Sequence, residues 1–228
     1  MALRLRRYIL YAGLLITALG ALLSLTTRRT DIPALIEGDT GGDIGLLKLA
    51  TDMPGEYMTF GDSGDFKLKS VRAEVQVEGK PYAIRMFPPK RTKRGWARIE
   101  DIGFSLRLKL NGSAETLALK VLPPGREDKF ISGGKEFSVS LEPEKEIPKG
   151  SIKGKVYNLR LPLFKVKADG KEAVLKKGEP VSLGKDKLLY EGSPLWVRVA
   201  FVKDPGLLLV YLGIGLLALS PVAFLRFK

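Results

Sequence analysis

Two stretches of the chain lack any polar periodicity. Residues 8–27 (YILYAGLLITALGALLSLTT) and 205–225 hold no Asp, Glu, Lys or Arg. A helix rises ~1.5 Å per residue, so about 20 residues cross a hydrocarbon core of ~30 Å. Both runs predict transmembrane helices. Between them the pattern changes to period two. "FKLKSVRAEVQVEG" sets Phe66, Leu68, Val71, Ala73, Val75 and Val77 against polar neighbours, and "FSLRLKLNG" ends on an Asn111-Gly112 turn signal. "EFSVSLEP", "SIKGKVYNLRLPLFKVKADGK" and "PLWVRVAFVK" repeat the alternation. This predicts half-buried antiparallel strands and a sandwich or open barrel. The fold class is a membrane protein with two transmembrane helices flanking a mainly antiparallel, all-β extracytoplasmic domain.

Two intervening segments read as looser. Residues 30–65 are rich in Gly and Asp and predict connecting loops with short strands. Residues 88–98 (PPKRTKRGWAR) gather Lys90, Arg91, Lys93, Arg94 and Arg98 around Trp96. They suit a loop that meets a partner or the membrane surface, or a solvated hairpin connection with one anchoring aromatic.

Charge sets the orientation. Arg4, Arg6 and Arg7 precede the first apolar run, and Arg226 and Lys228 follow the second. Basic residues beside membrane ends stay in the cytoplasm. The expected organisation is a cytoplasmic N-terminus at 1–7, a span at 8–27, an extracytoplasmic β-rich domain at 28–204, a span at 205–225 and a cytoplasmic tail at 226–228. Arg28 and Arg29 weaken this polarity without reversing it, because two spans put both termini on one side. A cleaved signal peptide, with Ala18-Leu19-Gly20 near the cut, is the competing reading of the first run. Five of the 38 Lys and Arg lie at the termini and no Asp or Glu does, so residues 28–204 carry 33 basic against 25 acidic side chains, a net +8. A basic exterior domain beside a membrane suits lipid headgroups or acidic partners and argues against nucleic acid.

The chain holds no Cys and no His, which removes disulfides, thiolate metal sites and the commonest general base and haem ligand. "FGDSGDF" is similar to the Gly-Asp-Ser-Gly around the nucleophile of trypsin-like proteases, yet lacks a His to activate the serine, and these residue types suit a turn. A Ser–Lys dyad needs a desolvated lysine; Met53-Pro54 is the one echo of a signal-peptidase motif, without its serine. Glu100-Asp101 and Glu127-Asp128 read as solvated loop charges. No catalytic, cofactor-binding or metal-binding residue is assigned, and the chain is not expected to be an enzyme.

The apolar runs carry more information. Gly13, Thr17, Gly20 and Ser24 recur at spacings of four, three and four, and Gly206, Gly213 and Ser220 recur every seven. Each set lies on one helix face. Small residues let backbones approach closely in lipid, and a helix glycine costs about 1 kcal/mol relative to Ala. These positions predict helix packing, either of the two helices on each other or on a larger membrane partner.

The C-terminal residues can then be read as a unit. Tyr190, Leu195-Trp196-Val197-Arg198-Val199, Lys203-Asp204-Pro205-Gly206 and Val210-Tyr211-Leu212-Gly213 resemble the end of ResB-type cytochrome c biogenesis proteins of system II. In that family a last strand with an aromatic leads through Asp-Pro-Gly into a final helix of Val-Tyr-x-Gly type. "AGLLITALGALLSL" followed by "LIEGDT" is similar to the family's Gly-rich helix and the segment after it. The chain resembles a short form, since larger members carry further N-terminal spans, and Tyr11 stands where members often have His. The resemblance marks Trp196, Asp204, Pro205, Gly206, Tyr211 and Gly213 as motif residues. It implies an accessory subunit in the plasma membrane that works with a CcsA/ResC-type multi-span haem-handling protein and apocytochrome c, with haem present through the partner complex. The residues alone support a membrane-anchored β-domain scaffold that organises envelope proteins or lipids, unrelated to haem.

Overall fold

The computed structural model of the chain describes residues 2–40, 42–60, 66–150 and 152–225, with side chains at 7–40, 42–60, 66–148, 150 and 152–219. The serine-containing segment 61–65 that the sequence reads as a turn, the side chain of Ser220, and Arg226 and Lys228 lie outside the described residues. The elements run α1 (Ala2–Thr27), β1 (Arg29–Asp31), β2 (Ala34–Ile36), β3 (Ile44–Thr51), β4 (Glu56–Phe60), β5 (Val71–Val77) and β6 (Lys80–Arg85). There follow β7 (Lys90–Thr92), β8 (Gly95–Leu110), β9 (Ser113–Leu119), β10 (Glu127–Ser132), β11 (Lys135–Glu142) and β12 (Lys145–Lys149). The chain ends with β13 (Ile152–Asn158), β14 (Leu163–Ala168), β15 (Lys171–Leu175), β16 (Pro180–Leu183), β17 (Asp186–Gly192), β18 (Leu195–Lys203) and α2 (Gly206–Leu225).

The protein is mainly antiparallel β-sheet with two helices, and it divides into two compact units. The first holds both helices, β1, residues Arg91–Ala97 and the chain from Ala200. Of its helices, Arg7–Thr27 is long and apolar enough to cross a membrane, whereas Gly206–Leu219 is apolar and shorter. Helix α1 starts at Ala2, six residues before the uncharged run, because charge limits membrane burial and leaves helical hydrogen bonding untouched.

The second unit comprises Pro33–Lys90 and Arg98–Val199. Its main core lies between the four-stranded sheet β10-β11-β14-β15 and the β8-β17-β16 part of the largest sheet. Phe104, Leu106, Leu108 and Leu110 of β8 alternate inward and meet Phe137, Val139 and Leu141 of β11 and Phe164 and Val166 of β14. Phe164 packs edge-on against both Phe104 and Tyr190. Two further three-stranded sheets, β12-β13-β4 and β3-β5-β6, complete the unit. The segment expected to be mostly loop therefore holds an eight-residue strand, β3. A register shift between Leu46 and Lys48 breaks its alternation, which hides the period-two signal from the sequence.

Four hairpins turn on two residues with positive φ: Glu78-Gly79, Asn111-Gly112, Gly133-Gly134 and Asp169-Gly170. This is the turn geometry that matches strand twist. Ion pairs join two of these turns to the β16–β17 turn, and a hydrogen bond from Asn111 adds a third. Lys135 Nζ lies 2.7 Å from Asp186 and 2.8 Å from Asp169, and Asn111 Nδ2 donates to Asp186 at 3.0 Å. The hydrogen bonds from Lys135 and Asn111 hold the Asp186 carboxyl below its ordinary value, and the bonds to Asp169 and Asp186 hold Lys135 above its own.

Trp196 anchors the other side of the unit. Its indole is 1% exposed and donates from Nε1 to the Leu119 carbonyl at 2.8 Å. Gly103 makes room for it, since a Cβ there would lie 2.6 Å from Nε1. Trp196→Phe leaves that carbonyl without its donor and opens a void, so denaturation of the full chain in detergent should show a loss of about 2–3 kcal/mol. The exposed-site control Trp96→Phe should change stability by less than about 0.5 kcal/mol.

The ionic clasp also predicts a pH profile. Asp186 titrates lower when folded, so its stabilisation is present above the ordinary Asp range and disappears as pH falls through the folded value. Lys135 titrates higher when folded, so its share is full below the ordinary Lys range and is lost as pH rises through the folded value. Thermal melts should show the clasp intact between about pH 5 and 9, and Asp186→Asn should flatten the acid limb.

Candidate functional site

In the first unit, α1 and α2 run antiparallel, and their small residues face each other. A Cβ added at Gly20 would lie 2.6 Å from the Val210 amide nitrogen and 2.9 Å from the Gly206 carbonyl. One added at Gly13 would lie 3.0 Å from Leu217 Cγ, and one at Gly213 would lie 2.6 Å from the Thr17 amide nitrogen. At Gly206 it would meet Gly20 and Ser24 backbone. Gly13, Thr17, Gly20, Ser24, Gly206 and Gly213 thus form one interface, whose backbones come closer than any side chain would allow. The Thr17 hydroxyl sits in this seam and donates to the Gly13 carbonyl at 2.8 Å, so it brings no unmet polar group into the apolar contact.

The junction from β18 to α2 is built on Asp204. One carboxylate oxygen accepts from the Gly206 and Leu207 amides, each at 3.1 Å, and the other accepts from the Ser24 hydroxyl of α1. Those amides are orphan donors of the first turn, so Asp204 acts as an N-cap, with Pro205 at the first position, where its missing N–H costs nothing.

Residues 88–98 form a hairpin, the second of the two readings the sequence offered. Thr92 is buried; its hydroxyl donates to the Gly95 carbonyl at 2.8 Å and accepts from the Arg94 amide at 3.2 Å. Gly95 has φ +119°, and a Cβ there would strike the Val202 carbonyl. The turn thus lies close to the end of β18 and encloses, with the start of α2, a cleft of about 400 Å³. Arg91, Lys93 and Lys203 line it together with Trp96, Tyr211 and Leu208. Of the six residues singled out in this segment, Arg91, Lys93 and Trp96 line the cleft, and Lys90 and Arg98 fall outside its lining. Arg94 pairs with Asp31 at 3.7 Å, and Arg98 pairs with Glu100 at 3.0 Å.

The second unit has a cleft of its own, also about 400 Å³, lined by Arg107, Arg160 and Lys177 with Tyr190 and Ser193. No ion pair of those three cations occurs among the described residues. The Tyr190 hydroxyl donates to Ser193 at 2.8 Å, and burial holds it above the ordinary tyrosine value. The cationic trio was absent from the sequence-based expectation, and Lys203, quoted there within the family-like run, was given no binding role. Lys203, directly before Asp-Pro-Gly, carried a usable signal as a boundary cation. The trio comes from strands and turns far apart in sequence and carried none.

The motif residues divide between the units. Trp196 is a core anchor of the second, while Asp204, Pro205, Gly206 and Gly213 shape the start and seat of α2, and Tyr211 is exposed beside the cleft. No group of three or more His, Asp or Glu placed to hold a metal occurs among the described residues. Comparison with known protein families and with curated proteins gave no match.

The absence of native cysteine makes the helix interface directly testable. A Gly13→Cys/Leu217→Cys pair should oxidise readily to an intramolecular disulfide, visible as a mobility shift on non-reducing gels. Adding Gly20→Leu should suppress it, because the larger side chain has only backbone and Leu209 to displace.

Proposed function

We propose that the chain is a two-span plasma-membrane anchor for an extracytoplasmic β-domain, and that it serves as a ResB-like accessory subunit in cytochrome c maturation. Both termini lie in the cytoplasm in this reading. The observation that carries it is the β18–α2 junction. The residues resembling the family's end, Asp204, Pro205, Gly206 and Gly213, are those that cap α2 and seat it on α1. A capped apolar helix held against the α1 span suits a second membrane crossing, with its exposed leucines towards lipid.

In this role the subunit positions others and leaves the haem chemistry to them. A CcsA/ResC-type protein handles haem, and the exterior domain holds that partner or the apocytochrome. The Arg107, Arg160 and Lys177 cleft is the part of this domain suited to an acidic loop. The chain holds no His and no Cys, and haem ligation in this reading falls to the partner.

A scaffold that organises envelope proteins or lipids is the second reading, and the cleft lined by Arg91, Trp96, Lys203 and Leu208 favours it. Deleting the gene separates the two. Haem-stained gels of membranes should lose the mature c-type cytochromes and regain them on complementation. An unchanged cytochrome pattern would reject the maturation role and leave the scaffold. Stoichiometric low-spin haem on the isolated chain would overturn the division of labour.

A further inference from the structure

We propose that the cleft between the β7–β8 turn and the start of α2 is a binding site for an anionic phospholipid. The inference rests on the reading of α2 as a membrane crossing and adds the ligand that its outer end takes. Three features converge there. Arg91 and Lys203 supply exposed positive charge, and Lys93 lines the same cleft. The one carboxylate of the lining, Asp204, is engaged by two amides and the Ser24 hydroxyl, so its charge is directed into the helix and away from the cleft.

The remaining walls are apolar or amphipathic. Leu208 is 67% exposed and Tyr211 63%, the first within the opening turn of α2 and the second about one turn further along. Trp96, 42% exposed, sits beside them on the turn. Along α2 from Lys203, Leu208 comes first and Tyr211 about one turn beyond it, so the cations stand at one end and an apolar and aromatic wall runs on from them. A charged end opening onto an apolar wall matches a phospholipid, with its phosphate at the cations and its chain along α2. A soluble inorganic anion would leave the leucines and Trp96 without a partner, and an acidic peptide would leave the leucines unmatched. Positive charge beside a span attracts anionic lipid generally; the walled cleft adds a defined place for one headgroup and the first part of its chain.

The two tryptophans provide the test. Trp196 is buried in the core of the other unit, so quenching by lipid reports Trp96. The full chain is reconstituted into bilayers containing phosphatidylglycerol or phosphatidylcholine brominated on the acyl chains, and tryptophan emission is titrated against each. The expected result is quenching by both lipids with a roughly tenfold preference for phosphatidylglycerol, falling to about onefold in Arg91→Gln/Lys203→Gln. Trp96→Phe should remove the quenching, and unchanged Trp196 emission when Trp96→Phe is added to the double variant shows that the fold is intact. Equal quenching by both lipids in the unaltered chain overturns the site while leaving the second span standing. No quenching by either lipid overturns the site and the membrane crossing of α2 together.

Discussion

The structure of the helical unit depends on where one carboxylate goes. Asp204 sits at the end of a strand and the start of a helix, and it accepts from two α2 amides and from a hydroxyl on α1. An unpaired carboxylate or orphan amide in an apolar setting costs several kcal/mol, so these bonds fix the helix start and the register of the two helices together. Once Ser24 is held at Asp204, antiparallel geometry puts Gly20 opposite Gly206 and Gly13 opposite Gly213 and Leu217. Gly20, Gly206 and Gly213 then fall where the facing backbone leaves no room for a Cβ, and Gly13 falls tightly against Leu217 and the Gly213 carbonyl. The cap and the glycines are therefore one constraint. The cost of glycine in a helix is met by contacts that exist only in this register.

Much of the β-architecture was legible because half-buried strands write their burial into alternate residues. β5, the second half of β8, β11, β14 and β18 all show it, and Asn111-Gly112 marked its hairpin. β3 escaped because its bulge interrupts the alternation where Leu46 and Lys48 shift register. For the 88–98 segment the sequence offered a partner-facing loop or a hairpin connection, and the hairpin is held by a threonine hydroxyl and a positive-φ glycine, which a charge count does not register. The Lys135 clasp was illegible for another reason. Its members belong to three hairpins, and only the fold brings those turns together.

The helix stripes show the limit from the other direction. Spacing alone predicted close packing and left open whether the partner was the other helix or a larger membrane protein. The geometry assigns the small residues of both helices to each other. What remains on the outer faces is large and apolar: Leu15, Leu19, Leu22 and Leu25 on α1, and Leu208, Leu212, Ile214 and Leu219 on α2. These side chains gain as much from lipid tails as from another helix, since hydrocarbon offers no hydrophobic drive towards association.

That assignment changes where a partner would be recognised. With the glycine faces consumed inside the chain, an intramembrane partner would meet bulky surfaces with little to specify register. The β-rich unit offers the opposite, a fixed scaffold that displays charge. Lys109, Lys129, Lys135 and Lys165 are each matched with a carboxylate nearby, so their charge is largely answered locally. Arg107, Arg160 and Lys177 share one cleft without such a match among the described residues. Unanswered charge in a concave, rigid setting steers association and penalises the wrong partner more strongly than scattered surface pairs. On the proposed reading, the helices hold the subunit in the bilayer and the cationic clefts choose what it meets.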